Sequence, residues 1–255
     1  MAINLLVLGL DGVLFDTEAA HLHSDNHALE QCGSGHRWSL AQYRNAALLH
    51  GAGNALFALA DSADAATLSG KKEQQFHEIA CQGRIALQPG CAELIGEALD
   101  EGCKLAIVTA VPARTATVLL EQAFGDRMTE MFAAIASSAS IDASSDNNAF
   151  HLVLRTVGVD PWRSVAIDVS TPALLAAQRA GLWTLATTPC IDGLESIGGS
   201  DAWFPELRAS GHSRHRAHSG DAGRRRFVSF DAIDSLKNAS RMNPSFAGRT
   251  AVAWA

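Results

Sequence analysis

The sequence predicts an α/β protein with a doubly wound parallel sheet. Short, nearly continuous apolar runs at residues 3–8, 104–108, 164–168 and 182–186 are typical of strands buried on both faces of a sheet. Segments with apolar residues at helical spacing lie between these runs. Strands that alternate with helices form such sheets, and their ligands bind beside the carboxyl ends of the strands.

The elements follow in order along the chain. The first strand leads into a turn, and residues 17–87 predict mainly helices because they lack proline and are rich in Ala, Leu, Gln, Glu and His. Pro89 and Gly90 interrupt the chain before a helix at 91–102. The remaining predictions are helices at 113–123, 149–157 and 172–180, a short strand at 133–136, a polar loop at 137–148 and a last strand within 181–186.

Composition and charge limit the classes of function. The chain has 255 residues, of which 47% are hydrophobic and 18% charged, enough to form a buried core. Residues 1–207 hold 11 basic and 24 acidic side chains (−13), whereas residues 208–255 hold nine and three (+6), which gives −7 in all. An acidic body predicts no nucleic-acid partner. The basic tail at 208–255 is predicted to be mobile, with residues 227–236 apolar enough to dock.

Cysteine usage and hydropathy indicate a cytoplasmic protein. The five cysteines are scattered and form no Cys-x-x-Cys pair, which argues against a disulfide framework and a zinc site. The first residues lack the basic region of a signal peptide. No apolar run reaches the ~20 residues of a membrane span, so no membrane partner is expected.

Several motifs in residues 1–207 together resemble one family. The segment 11–18 reads Asp-Gly-Val-Leu-Phe-Asp-Thr-Glu and resembles the first motif of the haloacid dehalogenase (HAD) superfamily, in particular of its CbbY and β-phosphoglucomutase-like phosphatases and mutases. Thr109 at a strand end resembles the second motif, and Asp168 with the helix ending at Gly181 resembles the fourth. The resemblance implies a HAD-type core at 1–16 and 88–207 with an all-helical cap inserted at 17–87.

The resemblance also implies a chemistry. In this family a strand-end Asp attacks a phosphoryl group and forms an aspartyl-phosphate, and a second Asp two residues later acts as general acid and base. Carboxylates and a backbone carbonyl hold Mg²⁺, and the cap selects the substrate. A small phosphorylated metabolite, such as a phosphosugar, is therefore the expected ligand, and Mg²⁺ is the expected cofactor.

The resemblance implies catalytic, metal-binding and substrate-binding roles for specific residues. Asp11 occupies the acid/base position, and Thr109 is the second catalytic candidate. Asp11 and Asp168 are the metal-ligand candidates, in a site expected to be weak or vacant. The candidates for binding substrate or phosphate are Gly12, Thr17, Thr109, Ala110 and Lys72.

Four positions depart from the family pattern. Gly9 stands where the nucleophilic Asp belongs, and Val169 stands at a magnesium-ligand position. The third-motif lysine is missing near Ala143 or Ser144, and the stretch 50–55 resembles a charged cap segment that has lost its charges. The leading hypothesis is a non-catalytic relative that binds a ligand or an unknown protein partner. The alternative is an active magnesium-dependent phosphatase that uses Asp11 and a non-standard nucleophile.

Structural roles compete with these functional ones. Asp11 and Thr17 could cap the turn before a helix, and Thr109 could cap the next one. Asp168 is favoured as a strand-end carboxylate hydrogen-bonded to loop amides.

Two further features favour structural explanations. His21, His23 and His27 favour a solvated cap helix over a metal site. Cys32, with no evident base beside it, is expected to pack as a small buried hydrophobe.

Overall fold

The computed structural model describes residues 2–58, 65–137, 148–187, 199–204, 207 and 228–242. Within these residues, six strands form one parallel sheet in the order β3-β2-β1-β4-β5-β6. The strands are β1 (Leu5–Gly9), β2 (Lys104–Thr109), β3 (Phe132–Ser137), β4 (Ser164–Asp168), β5 (Trp183–Thr187) and β6 (Ala202–Phe204). The doubly wound α/β fold predicted from the sequence is confirmed.

Helices connect the strands as the hydrophobic spacing predicts. The described α-helices are α1 (Glu18–Gln31), α2 (Leu40–His50), α3 (Ala65–Cys81), α4 (Cys91–Asp100), α5 (Ala113–Phe124), α6 (Met128–Met131), α7 (Ala149–Val157), α8 (Thr171–Arg179) and α9 (Phe230–Met242). Short 3₁₀ helices lie at Ala55–Ala58, Gly125–Arg127 and Pro161–Arg163. Of the polar loop predicted at 137–148, residues 138–147 lie outside the described residues.

The central strand β1 has both faces buried, because helices cover both sides of the sheet. Leu6 and Leu8 face a layer formed by α4, α5 and α9, whereas Leu5 and Val7 face α7 and α8. All five residues of β1 are buried. Two-sided burial explains why the strand reads as a continuous apolar run instead of an alternating one.

The helical segment between β1 and α4 consists of α1, α2 and α3 and has a small core of its own. Tyr43, Leu29 and Leu68 are buried in it. Ser39 and Gln42 form a capping box that fixes the start of α2. Leu48 of this segment packs on Leu174 of α8, so α2 lies directly against the sheet-bearing part of the chain.

Three sequence expectations need correction. The strand at Trp183–Thr187 is not the last, because β6 follows it; three residues are too few to show a strand period in the sequence. The docking element predicted at 227–236 is the longer helix α9, Phe230–Met242, within the predicted tail. Cys32 is exposed, not buried, because it lies at the carboxyl end of α1.

In the part of the chain that the structure describes, no helix is long and apolar enough to cross a bilayer.

The docking of α9 gives a first test. Ile233 of α9 is fully buried in the core layer beside α4, and the amide of Phe230 donates to Glu97 Oε2 at 2.9 Å. We expect Ile233→Ala to lower the free energy of unfolding by about 2–4 kcal/mol in urea denaturation. Leu152→Ala, at a side chain that is 51% exposed, should cost less than about 1 kcal/mol. Equal effects of the two substitutions would contradict the observed docking of α9.

Candidate functional site

Three strand ends converge at one edge of the sheet. Asp11 follows β1 by two residues, Thr109 is the last residue of β2 and Asp168 is the last residue of β4. Because β1 lies between β2 and β4 and all three run in parallel, these side chains meet. They line one cavity together with the loop at 50–54, so the convergence predicted from the sequence is confirmed.

The carboxylate of Asp168 is fixed by its own loop. Its Oδ1 atom accepts hydrogen bonds from the amides of Val169 and Ser170, both at 2.8 Å, and from Ser170 Oγ at 2.9 Å. Asp168 is thus a strand-end carboxylate bonded to loop amides, as the structural interpretation predicted. Burial raises its pKa to about 6; the bonds from Ser170 and Val169 oppose this shift, and the nearby charge of Asp11 adds to it.

The other oxygen of Asp168 fills the space beside Gly9. A β-carbon placed on Gly9 would lie 2.3 Å from Asp168 Oδ2 and 3.4 Å from a methyl group of Val13. A carbon and an oxygen that are not bonded cannot approach so closely. Any side chain at position 9 would therefore require the carboxyl group of Asp168, which its bonds to the loop hold in place, to shift.

Val169, the next residue after Asp168, packs against Gly12. Gly12 has a φ of +70°, and a β-carbon there would lie 3.0 Å from Val169 Cγ1. The valine methyl groups therefore pack over the turn that follows β1. A predicted magnesium-ligand position is filled by hydrocarbon, which offers the ion no oxygen.

Asp11 is held by the helical segment. His21 Nε2 lies 2.9 Å from Asp11 Oδ1, and the His21 ring stacks on Phe76 with ring centres 4.0 Å apart. Burial acts to raise the pKa of Asp11, but the charge and hydrogen bond of His21, together with Thr17 and Lys72, outweigh it and hold that pKa below its usual value.

His21 is the site residue that sequence reasoning missed. It was assigned to a solvated helix, but it is only 2% exposed and faces Asp11; His23 is exposed, as predicted. Thr17 precedes α1 but makes no side-chain cap bond; its hydroxyl interacts with Asp11 instead, so the capping interpretation is wrong. His21 lies one helical turn after Thr17, a spacing that could have revealed their shared face.

Lys72 lies in a buried network beside the cavity. Its Nζ atom is 2.7 Å from Asp25 Oδ1 and donates to the carbonyl oxygens of Ala52 and Gly53 at 2.7 and 3.0 Å. Lys72 is not among the described residues that line the cavity. The ammonium group therefore ties the loop over the cavity to α1, where Asp25 is fully buried.

Thr109 and Ala110 form the wall opposite that loop. Thr109 Oγ1 accepts from the amide of Val111 at 3.0 Å, which closes a short turn instead of capping α5, whose N-cap is Pro112. A β-carbon on Gly53 would lie 3.4 Å from that of Ala110, so the loop touches this wall. Both predicted residues line the cavity, but no Lys or Arg accompanies them among the described lining residues.

The residues present do not fit Mg²⁺. The described part of the chain contains no group of three His, Cys, Asp or Glu side chains placed to hold a metal. Asp168 Oδ1 is engaged by three donors, and Asp11 Oδ1 is engaged by His21. Gly9 and Val169 supply no side-chain oxygen, and Mg²⁺ gives up its water ligands reluctantly.

The cavity also suits a phosphate poorly. Its described lining includes the carboxylates of Asp11 and Asp168 and the imidazole of His50, and no Lys or Arg. Its volume is about 40 Å³, room for a few water molecules but not for a sugar phosphate. Ala143 and Ser144, near the expected third-motif lysine, lie outside the described residues, and neither carries a charge.

The contact between Gly9 and Asp168 can be measured by a double-mutant cycle. We expect Gly9→Ala to destabilise the protein by about 1–3 kcal/mol, because the new methyl group displaces Asp168 from its hydrogen bonds. In an Asp168→Ala background the same change should cost much less, since the colliding oxygen is gone. Urea denaturation of the four proteins gives the coupling energy. Strictly additive effects would show that the two positions do not compete for space.

The raised pKa of Asp168 predicts a pH effect on stability. The folded pKa of about 6 lies above the ordinary 3.8, so the folded protein holds the proton more tightly and loses stability as pH rises from about 4 to 6. Asp168→Asn should therefore be more stable than the parent above pH 6, by up to about 3 kcal/mol, with the gain vanishing towards pH 4. Denaturation between pH 4 and 8 checks this, with Asp126→Asn, at an exposed carboxylate, as control. A gain that does not change with pH would contradict the assignment.

Comparison with known proteins places the chain in a family. A model of the haloacid dehalogenase-like hydrolases matches residues 3–181. Protein CbbY of Cereibacter sphaeroides is 29% identical over 207 residues, which cover 78% of this chain and 90% of that protein. A CBBY-like protein of Arabidopsis thaliana is 26% identical over 243 residues, 89% of this chain and 76% of that protein.

Solved structures agree with these matches. CbbY from Rhodobacter sphaeroides in complex with phosphate is 28% identical, with a TM-score of 0.66 over 80% of this chain and 94% of that one. A variant of it in complex with xylulose-(1,5)bisphosphate has a TM-score of 0.67 at 27% identity, with the same coverage. A β-phosphoglucomutase from Clostridium difficile, 13% identical with a TM-score of 0.68 over 94% of this chain and 100% of that one, shows the shared fold. Because the family model spans well over half of the sequence, this chain belongs to the haloacid dehalogenase-like hydrolases, as a CbbY-like member.

Proposed function

We propose that this chain keeps the CbbY-like fold without the aspartyl-phosphate chemistry, and acts as a binding or regulatory protein. The observation that carries the proposal is the carboxylate of Asp168 folded into the space beside Gly9. The nucleophile position lacks an attacking atom, and the room for one is filled by a side chain with three hydrogen bonds. Nucleophilic catalysis requires such an atom.

Electrostatics support the same conclusion. Phosphoryl transfer needs positive charge around the phosphate oxygens, from a metal ion or from basic side chains. Asp11 and Asp168 place negative charge at the described cavity. The ammonium group of Lys72 pairs with Asp25 and donates to two carbonyl groups, so it does not offset that charge. HAD-like hydrolases generally use Mg²⁺, but this set of side chains does not attract it.

A small phosphorylated metabolite remains the proposed class of ligand. Two solved CbbY structures of this fold are in complex with phosphate and with xylulose-(1,5)bisphosphate. The cavity here lies at the carboxyl ends of the strands, where parallel sheets of this kind bind ligands. The cavity, at about 40 Å³, is smaller than such a molecule, so we expect the loop at 50–54 to move on binding. That movement breaks the bonds from Lys72 to Ala52 and Gly53. Affinity for the metabolite should therefore be low.

One observation favours the alternative, an active phosphatase. Asp11 is oriented by His21 at 2.9 Å, and its lowered pKa keeps it ionised near neutral pH. An ionised, oriented carboxylate can take a proton from water, but the lowered pKa makes it a weak base. Direct attack by that water on phosphorus would need no residue at position 9. It would still need a positive partner for the phosphate, which the described cavity lining does not supply.

Activity assays separate the two proposals. We expect the purified protein to hydrolyse an aryl phosphate at no more than the buffer rate, with or without millimolar Mg²⁺, and to trap no beryllium fluoride. Calorimetry should detect no magnesium binding at millimolar concentrations. Magnesium-dependent turnover that is lost in Asp11→Asn would overturn the non-catalytic proposal and support the alternative.

A variant that regains carboxylates at the two expected magnesium-ligand positions should bind Mg²⁺. Gly9→Asp together with Val169→Asp adds two carboxylates, and the crowding at position 9 turns Asp168 away from Gly9. Without a cation the added charges repel each other, so the double variant should be less stable in chelator than in Mg²⁺, as measured by thermal unfolding. Gly9→Asn with Val169→Asn, of similar volume but uncharged, should show no such difference. A magnesium shift in the parent protein as large as in the double variant would contradict the fit argument.

A further inference from the structure

A cysteine, a histidine and a threonine form a chain of contacts outside the described cavity lining. Cys81, the last residue of α3, is exposed, and its Sγ atom lies 3.6 Å from His77 Nε2 one turn earlier on the same helix. His77 Nδ1 lies 3.0 Å from the hydroxyl oxygen of Thr115, a buried residue in the first turn of α5. None of the three residues lines the described cavity.

The arrangement has the parts of an activated nucleophile. A thiol within reach of an imidazole, which is itself oriented by a third polar group, can lose its proton to the ring. If Thr115 accepts the proton of Nδ1, the Nε2 lone pair faces Cys81. Helix α3 and the neighbouring helix α5 are also tied by Gln122, which donates to the carbonyl of Ala80 at 3.1 Å, so His77 and Thr115 are held in register.

We propose that Cys81 is a base-assisted modification site that exchanges with small disulfides. His77 takes the thiol proton, and the Cys81 sulfur attacks one sulfur of the disulfide. A new S–S bond to Cys81 forms as the original S–S bond breaks. The departing thiolate takes the proton from His77, so charge and protons balance and no external oxidant is needed.

The other cysteines provide internal controls. Cys32 is also exposed and also lies at the carboxyl end of a helix, α1, so the helix dipole disfavours the thiolate at both places. Among the described residues, no histidine forms a hydrogen bond with the Cys32 thiol. Burial raises the pKa of the thiols of Cys91 and Cys103 to about 12, so both should be unreactive while the protein is folded. Cys190 lies outside the described residues.

The experiment compares two full-length variants that differ in the exposed thiol they retain. Both carry Cys190→Ser; one adds Cys32→Ser and keeps Cys81, and the other adds Cys81→Ser and keeps Cys32. The probe is dipyridyl disulfide at pH 7, with the released thione followed by absorbance and the adduct located by mass spectrometry. Since an ordinary thiol is only slightly ionised at this pH, we expect Cys81 to react at least about tenfold faster than Cys32.

Two substitutions test the roles within the chain of contacts. His77→Asn should lower the Cys81 rate to that of Cys32. Thr115→Val should lower it partly and Thr115→Ser should restore it, as expected of a positioning residue. Continued protection of Cys91 and Cys103 shows that each variant is folded. Equal rates for Cys81 and Cys32, or a Cys81 rate that His77→Asn leaves unchanged, would overturn the proposal.

Discussion

The carboxylate of Asp168 and the missing side chain of Gly9 depend on each other. The three hydrogen bonds to Asp168 Oδ1 fix the carboxyl group. Its Oδ2 atom then lies too close to the place that a β-carbon at position 9 would occupy. Glycine is the residue without that carbon, so the end of β1 can approach the end of β4 closely. The methyl groups of Val169 pack over Gly12 in the same way. They stand at the position where the resemblance to the family places a metal ligand. Packed side chains thus occupy this edge of the sheet, in agreement with the proposal that the aspartyl-phosphate chemistry is absent.

The helical segment is attached to this edge by polar contacts as well as apolar ones. His21 reaches Asp11 at this edge, whereas Lys72 acts within the segment, where it holds the carbonyl groups of Ala52 and Gly53 beside the cavity. Both anchors are buried, where a hydrogen bond left unmade costs more than it does at the surface. The ring of His21 also stacks on Phe76 of α3, which couples Asp11 to two helices. These contacts hold the loop at 50–54 and Asp11 in place beside the cavity. A ligand that displaces them would have to replace their hydrogen bonds.

Hydrophobic pattern alone predicts most of the fold. Runs buried on both faces identify β1, β2, β4 and β5, and helical spacing identifies α4, α5, α7 and α8 to within a few residues. Strand β6 is not predicted, because three residues are too few to show the alternation of a strand. Helix α9 is longer than its apolar residues indicate.

The candidate site is less predictable, because its decisive contacts join distant parts of the chain. Strand-end positions could be read from the sequence, and Asp11, Thr109 and Asp168 do line one cavity. The partnership of His21 with Asp11 depends on how α1 packs, and the collision beside Gly9 depends on the orientation of one carboxyl group. Lys72 looked available as a free cation, whereas Asp25 and two carbonyl groups engage it. Sequence identifies which groups are missing from a motif; the structure identifies what fills their places.

The two carboxyl groups of the cavity lie in different environments and have opposite pKa shifts. Close, buried like charges cannot both be ionised at low cost, and an ion would normally relieve that repulsion. Here the environments differ: burial raises the pKa of Asp168 to about 6, whereas His21 helps to bring the pKa of Asp11 below its usual value despite burial. One group therefore stays ionised, and the other takes up a proton as the pH falls towards 6. Opposite shifts in neighbouring carboxyl groups often mark an acid and a base, but here each shift has a structural cause. These structural causes agree with the proposal that the protein keeps the fold of its family without the aspartyl-phosphate chemistry.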